Sequence, residues 1–189
     1  MPRTAKLSKG AICEHLMPVF ELYGYEGASL KMLADAAGLS KASLYHHFPK
    51  GKEDMASHVL GQAGVRLQAM VLAPLETTMP GADRLAASLD GVADYYQGQI
   101  PVCLMNSFLL GGGVGLFGGQ IKKVVTVWQR GFVAAYESAG ADRIEARAWG
   151  VYAVERIQGA LVLCRVQGSR KPLEACLDEL RTDVSFLGE

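Results

Sequence analysis

Apolar residues recur along the chain at steps of three and four. Leu85, Leu89, Val92 and Tyr96 form one such stripe, and Leu173, Leu177, Leu180, Val184 and Leu187 form another; each predicts an amphipathic helix with one face inward. Ile121, Val124, Val125, Trp128, Phe132 and Tyr136 repeat the spacing. So do Ile144, Ala148, Val151, Val154, Ile157 and Leu161, where Glu155 interrupts the stripe. No stretch alternates apolar and polar residues with hairpin turns at its ends, so strands are not expected. Stop signals fall at Gly24 to Gly27, Gly38, Pro49 to Gly51, Pro74, Pro80 to Gly81, Pro101, Gly111 to Gly119, Gly140 and Gly168 to Pro172. These divide the chain into about nine helices, an all-α fold. Pro18 falls inside the first of them, where it removes a backbone donor and crowds the preceding turn, so a kink there or a later start is expected.

The segment from Leu33 to Glu53 is the most informative. Ser29 is placed to cap a short helix whose inner face is Leu30, Leu33 and Ala34. Gly38 ends it in the left-handed conformation that glycine adopts at least cost. Ser40 then caps a second short helix with Leu44 and Phe48 inside. Two helices joined so tightly cross steeply and need a small residue at the crossing, which Ala34 supplies. This is the pattern of a helix-turn-helix. Its second helix presents Lys41, Ala42, Ser43, Tyr45, His46 and His47 outward, a set able to reach phosphates and base edges. Taken alone, the two histidines would suit any half-exposed helical hairpin.

Charge agrees once its distribution is considered. The formal net charge of the 189 residues is zero, yet Arg3, Lys6, Lys9, Lys31, Lys41, Lys50 and Lys52 and all four histidines lie in the first third. The remainder is richer in Leu, Val, Ala and Gly. This shift places a boundary near Gly51, with a DNA-binding domain over 1–50 and a second domain over 51–189. The four cysteines are far apart, with neither disulfide nor zinc spacing, which fits reduced thiols in a cytoplasm. Glu14 and His15 interrupt the apolar run of the amino-terminal segment, unlike a signal peptide.

The run GYEGASLKMLADAAGLSKASLYHHFPKGKEDM, from Gly24 to Met55, resembles the DNA-binding signature of TetR-type transcriptional regulators. It joins the entry, turn and exit motifs in order. GALVLCRVQGSRKPLEA, from Gly159 to Ala175, and Pro101 to Cys103 are similar to effector domains of the LmrA- and YxaF-like subgroup. The resemblance implies an N-terminal three-helix helix-turn-helix domain, a C-terminal helical bundle, and a homodimeric repressor on a palindromic operator. Ser29 and Lys31 would hold phosphate, Lys52 would anchor the following helix to phosphate, and Lys50 would also contact the DNA. Ser40, Lys41, Ala42, Ser43, Tyr45 and His46 would face bases or backbone. The dimer would form through the last two helices, over about 142–166 and 172–187.

The glycine-rich middle admits other readings. Gly113, Gly115 and Gly118 have GxGxxG spacing, with Glu137 downstream, as in a nucleotide-binding enzyme or carrier using 111–119; that turn needs a preceding strand and a βαβ unit, for which no pattern exists. The uncharged stretch from Tyr95 to Ile121 is long enough to span a bilayer, but its glycines, Pro101, Asn106 and glutamines favour burial in protein. The glycines would instead border a ligand cavity. Met105, Phe108, Leu109 and Phe117 lie on one side of them in sequence or within them; Trp128, Phe132, Trp149 and Tyr152 follow, with Arg156, Asn106 and Gln158 as orienting groups. A small apolar or aromatic effector is expected there. No GxSxG, HExxH or P-loop lysine is present, so neither an enzyme nor a cofactor or metal is expected.

Overall fold

The computed structural model describes residues 7–98 and 100–185; Arg3, Lys6 and Leu187 lie outside them. Among the described residues there are nine α-helices and no strand. The chain divides into two compact units, one of residues up to Gly64 with Leu104–Gly119, the other of Val65–Cys103 with the residues from Gln120 onward.

The first unit contains α1 (Lys9–Gly27), α2 (Leu30–Ala37), α3 (Lys41–His47), most of α4 (Lys52–Leu67), α6 (Leu104–Phe108) and the first turns of α7 (Gly113–Ser138). Its core joins Ile12, Leu16 and Phe20 of α1 to Leu33, Leu44, Phe48, Met55 and Val59, all fully buried. Each such side chain contributes about 1.5 to 3 kcal/mol by leaving water. Phe108 meets Phe20 edge-on with ring centroids 5.3 Å apart.

The break in α1 is displaced from where sequence places it. The helix begins at Lys9 and runs through Pro18; the residue with non-helical dihedrals is Gly24, at φ 67° and ψ −177°. Pro18 and Glu14 are both exposed, so the Glu14 carbonyl that loses its helical donor can be hydrated. Gly24 is required at the break, because its φ is left-handed and an added Cβ would lie 2.8 Å from the Ser107 carbonyl oxygen.

The second unit contains α5 (Gly81–Tyr95), the rest of α7, α8 (Arg143–Gln167) and α9 (Lys171–Ser185), preceded by a π-helical turn over Gln68–Leu72 and a 3-10 turn over Ala73–Glu76. Leu85, Leu89, Val92 and Tyr96 are buried as their spacing predicts, and so are Trp128, Phe132 and Tyr136 of α7. Ser88, fully buried, donates its hydroxyl to the Val71 carbonyl at 2.8 Å, satisfying a group in the widened turn. Asp142 caps α8 by accepting from the backbone N–H groups of Ile144 and Glu145 at 2.7 and 2.9 Å. The Arg170 guanidinium closes the end of α5, donating to the carbonyls of Ala93, at 2.8 Å, and Tyr96.

The stripe Leu173, Leu177, Leu180 and Val184 of α9 is buried within the protomer, where α9 packs against both α8 and α5 and Arg181 reaches Asp90 of α5 at 2.8 Å. Sequence periodicity marks an inward face without saying whether the partner helix lies in the same chain. Along α8, Ile144, Trp149, Tyr152, Val162, Leu163 and Val166 are exposed.

Candidate nucleic-acid interface

Local signals build the α2–α3 corner. The Ser29 hydroxyl accepts from the Met32 N–H at 3.2 Å, and α2 ends at Gly38 with φ 62°. There the Gly38 and Leu39 N–H groups return to the Asp35 and Ala34 carbonyls, closing the last turn before the chain reverses. The Ser40 hydroxyl accepts from the Ser43 N–H at 3.1 Å and lies 2.9 Å from the Ser43 hydroxyl. Leu33, Ala34, Leu44 and Phe48 are buried beneath this corner.

What remains outside is polar and basic. Lys41, Ala42, Tyr45 and His46 are exposed along one side of α3, with Ser43 half-buried, and Lys31 and Lys50 are exposed to either side in sequence. Among the described residues, Lys31, Lys41 and Lys50 are in no ion pair, so their charge is available to an anion. Tyr45 is 44% exposed. Its ring lies against Gly51, where an added Cβ would stand 3.3 Å from Cε1. His46 and His47 meet edge-on at 5.7 Å.

Two lysines from the basic cluster have structural partners that the sequence does not signal. Lys52 donates its ammonium to the Tyr25 carbonyl at 2.8 Å and to that of Glu26 at 3.4 Å, and sits 4.5 Å over the Tyr25 ring. It therefore caps the end of α1. Lys9 approaches the His58 Nε2 at 3.3 Å and lies 5.0 Å over the Phe48 ring. The His58 Nδ1 contacts the Asp54 carbonyl at 2.8 Å and the Asp54 carboxylate at 3.2 Å. These contacts tie α1 to α3 and α4.

The nine residues expected to line a ligand cavity fall in three neighbourhoods. Met105, Phe108 and Phe117 pack in the first unit, where Tyr25 stacks edge-on with Phe117 at 5.2 Å; Leu109 is exposed. Trp128 and Phe132 are fully buried in the second unit. Trp149, edge-on to Tyr136 at 5.6 Å, is on α8 with Tyr152 and Arg156. The Arg156 guanidinium lies 5.6 Å over the Tyr152 ring and pairs with Glu179; that carboxylate, then Tyr152, raises its already high pKa. Gly113 opens α7, and Gly115 and Gly118 lie within it. With no strand among the described residues, the βαβ setting of a dinucleotide turn is absent. No helix of the described residues is long and apolar enough to cross a membrane, and no group of three or more metal-ligating side chains is found among them.

A capped, glycine-turned helix pair that exposes a basic second helix, joined to a separate helical unit, defines a helix-turn-helix DNA-binding protein. Residues 16–59 match the model for bacterial regulatory proteins of the tetR family. Residues 117–179 match the C-terminal domain of LmrA/YxaF-like transcriptional regulators. The chain belongs to the TetR family of transcriptional regulators. It is 22% identical over 159 residues to the HTH-type transcriptional regulator YxaF of Bacillus subtilis, covering 82% of this chain and 83% of that protein. With the HTH-type regulator LmrA of the same organism it shares 31% over 71 residues, 38% of each chain. A TetR regulator from Legionella pneumophila has a similar fold, with a TM-score of 0.78 and 20% identity over 96% of this chain and 99% of that one. A second, from Chloroflexus aurantiacus, gives 0.77 and 19% over 94% and 93%.

Proposed function

We propose that the protein is a repressor that covers a near-palindromic operator as a homodimer and is released by a small apolar or aromatic effector. The observation that carries this reading is the exposed side of α3, where Lys41, Tyr45 and His46 project from a corner whose large side chains Leu33, Leu44 and Phe48 are buried. In the dimer, two copies of α3 enter successive major grooves about 34 to 36 Å apart. Ser29, Lys31 and Lys50 contact phosphate and fix register; Lys41, Ser43, Tyr45 and His46 meet base edges or backbone. Ser40 holds the start of α3, and Ala42 lets it approach the groove closely. Lys52 supports the same surface from behind by holding the end of α1.

The functional division we propose is DNA binding over 1–50, with effector binding and dimerisation over 51–189. The outward residues Tyr152, Val162 and Leu163 of α8, with Pro172 and Ala175 of α9, line an apolar groove; a second copy covering it would remove this surface from water. An effector weakens DNA binding only by favouring a dimer whose reading helices are wrongly spaced. Such a protein works in the cytoplasm, beside the DNA, and needs no catalytic group. The direct test is selection of bound duplexes from a random pool by the full chain. A palindromic consensus, displaced by compounds that bind the protein, is expected; recovery of unenriched sequence would refute the reading.

A further inference from the structure

Gly51 lies in the turn between α3 and α4, and its backbone is held on both sides. Its N–H donates to the Phe48 carbonyl at 2.9 Å, and its carbonyl accepts from the Met55 N–H at 3.1 Å as α4 begins. The residue is buried, with a left-handed φ of 75°. Asparagine accepts such a φ at modest cost and is a favoured residue immediately before a helix, so turn conformation and helix start do not by themselves require glycine here.

The neighbour of the missing side chain does. An added Cβ would stand 3.3 Å from Cε1 of Tyr45, 3.8 Å from its hydroxyl oxygen and 3.9 Å from Cζ, so the hydroxyl end of the ring rests over the bare Cα. At Gly38, where a φ of 62° makes the same demand on the backbone, nothing lies within 4 Å. Among the described residues the Tyr45 hydroxyl makes no hydrogen bond, and the residue is 44% exposed. Contact with the Gly51 turn, rather than a polar partner, therefore places that end of the side chain.

We infer that Gly51 is a positioning residue for DNA recognition: the space left by its missing side chain seats the Tyr45 ring and aims its hydroxyl from the exposed side of α3 before DNA arrives. A ring already ordered in the free protein loses little further freedom on binding, which spares affinity that cost. The inference rests on the reading of α3 as the helix that meets DNA, and adds to that surface a residue that acts on it only through Tyr45.

The test is a double-mutant cycle on DNA affinity with the full chain and the selected operator duplex. Gly51→Asn keeps an accessible φ but adds a side chain under the ring; it weakens binding about tenfold, the size of a misplaced hydrogen bond in each of two half-sites. Gly38→Asn meets the same backbone demand without that neighbour and weakens binding by less than about twofold. In the Tyr45→Ala background, Gly51→Asn adds nothing to the loss that Tyr45→Ala causes alone. A loss from Gly51→Asn that persists in that background, or an equal loss from Gly38→Asn, would reduce Gly51 to a turn residue and overturn the inference. So would an unchanged affinity in Tyr45→Ala. Proton spectra of the unsubstituted chain add a measurement that depends on no variant: Overhauser contacts between the Tyr45 ε protons and the Gly51 α protons are present in the free protein and persist with DNA, and their absence from either state would overturn the inference equally. An unenriched pool sinks the repressor reading and leaves the same cycle to be run on a random-sequence duplex at low salt, whereas successful selection with an uncoupled cycle sinks the positioning role alone.

Discussion

The Lys52 ammonium donates to the Tyr25 carbonyl at 2.8 Å while resting 4.5 Å over the same residue's ring. One side chain thus holds both the backbone and the ring of the residue after the Gly24 break. That ring also meets Phe108 and Phe117 edge-on, at 6.4 and 5.2 Å. Lys52 is accordingly a brace between α4 and α1 more than a free cation.

Lys52→Met should lower stability by about 1 to 2 kcal/mol, the worth of a charge-assisted bond to partly buried carbonyls. Operator affinity should fall with little change in its salt dependence. Lys41→Ala, removing a free charge, should reduce the salt slope by about one per half-site. Titration of both variants at several salt concentrations measures this; equal reductions in slope would make Lys52 a phosphate ligand.

Lys41→Ala combined with Tyr45→Ala should abolish shifts of the selected operator while circular dichroism and melting stay near those of the parent. Both side chains are exposed, so little core is disturbed. Retained shifts at fixed salt would remove α3 from the reading role.

Val162→Glu with Val166→Glu should give folded monomers in sedimentation, since these residues are 51% and 76% exposed in the protomer. Leu177→Glu with Leu180→Glu should instead prevent folding, both being 2% exposed within the protomer. A dimer that survives the first pair would place the interface elsewhere.

Gly24→Ala forces a side chain into a left-handed φ of 67° and against the Ser107 carbonyl. A loss of about 1 to 3 kcal/mol is expected in urea unfolding. Gly38→Ala, also left-handed at φ 62° but with nothing within 4 Å of its added Cβ, should cost less. Equal losses would mean that the contact with Ser107 contributes nothing.

Burial, opposed by Lys9 and helped by Asp54, raises the Cys13 thiol from 9.0 to about 11. The folded state therefore keeps a proton that the unfolded chain gives up first. Its contribution to stability is fully present below pH 9.0 and is lost as pH rises to about 11. Unfolding free energies across that interval should fall less steeply in Cys13→Ala; an unchanged slope would assign the alkaline loss to other groups.

The sequence by itself determined the parts whose causes lie within a turn or two of chain. Ser29 and Ser40 cap because an acceptor oxygen precedes a helical run, Gly38 ends α2 because it tolerates a left-handed φ, and the stripe from Leu85 to Tyr96 selects its buried face by helical period. The tertiary structure decided what those faces meet. Periodicity marked the α9 stripe as apolar, but only the chain path buried it among α5 and α8 of the same protomer. Lysine content marked a basic cluster, but only the arrival of α4 at the end of α1 occupied Lys52. Pro18 drew attention by its chemistry, yet the break sits at Gly24, where the Ser107 carbonyl approaches from 83 positions later along the chain. Capping and period depend on neighbours in sequence; partnership depends on where distant segments come to rest, and local chemistry does not encode that distance.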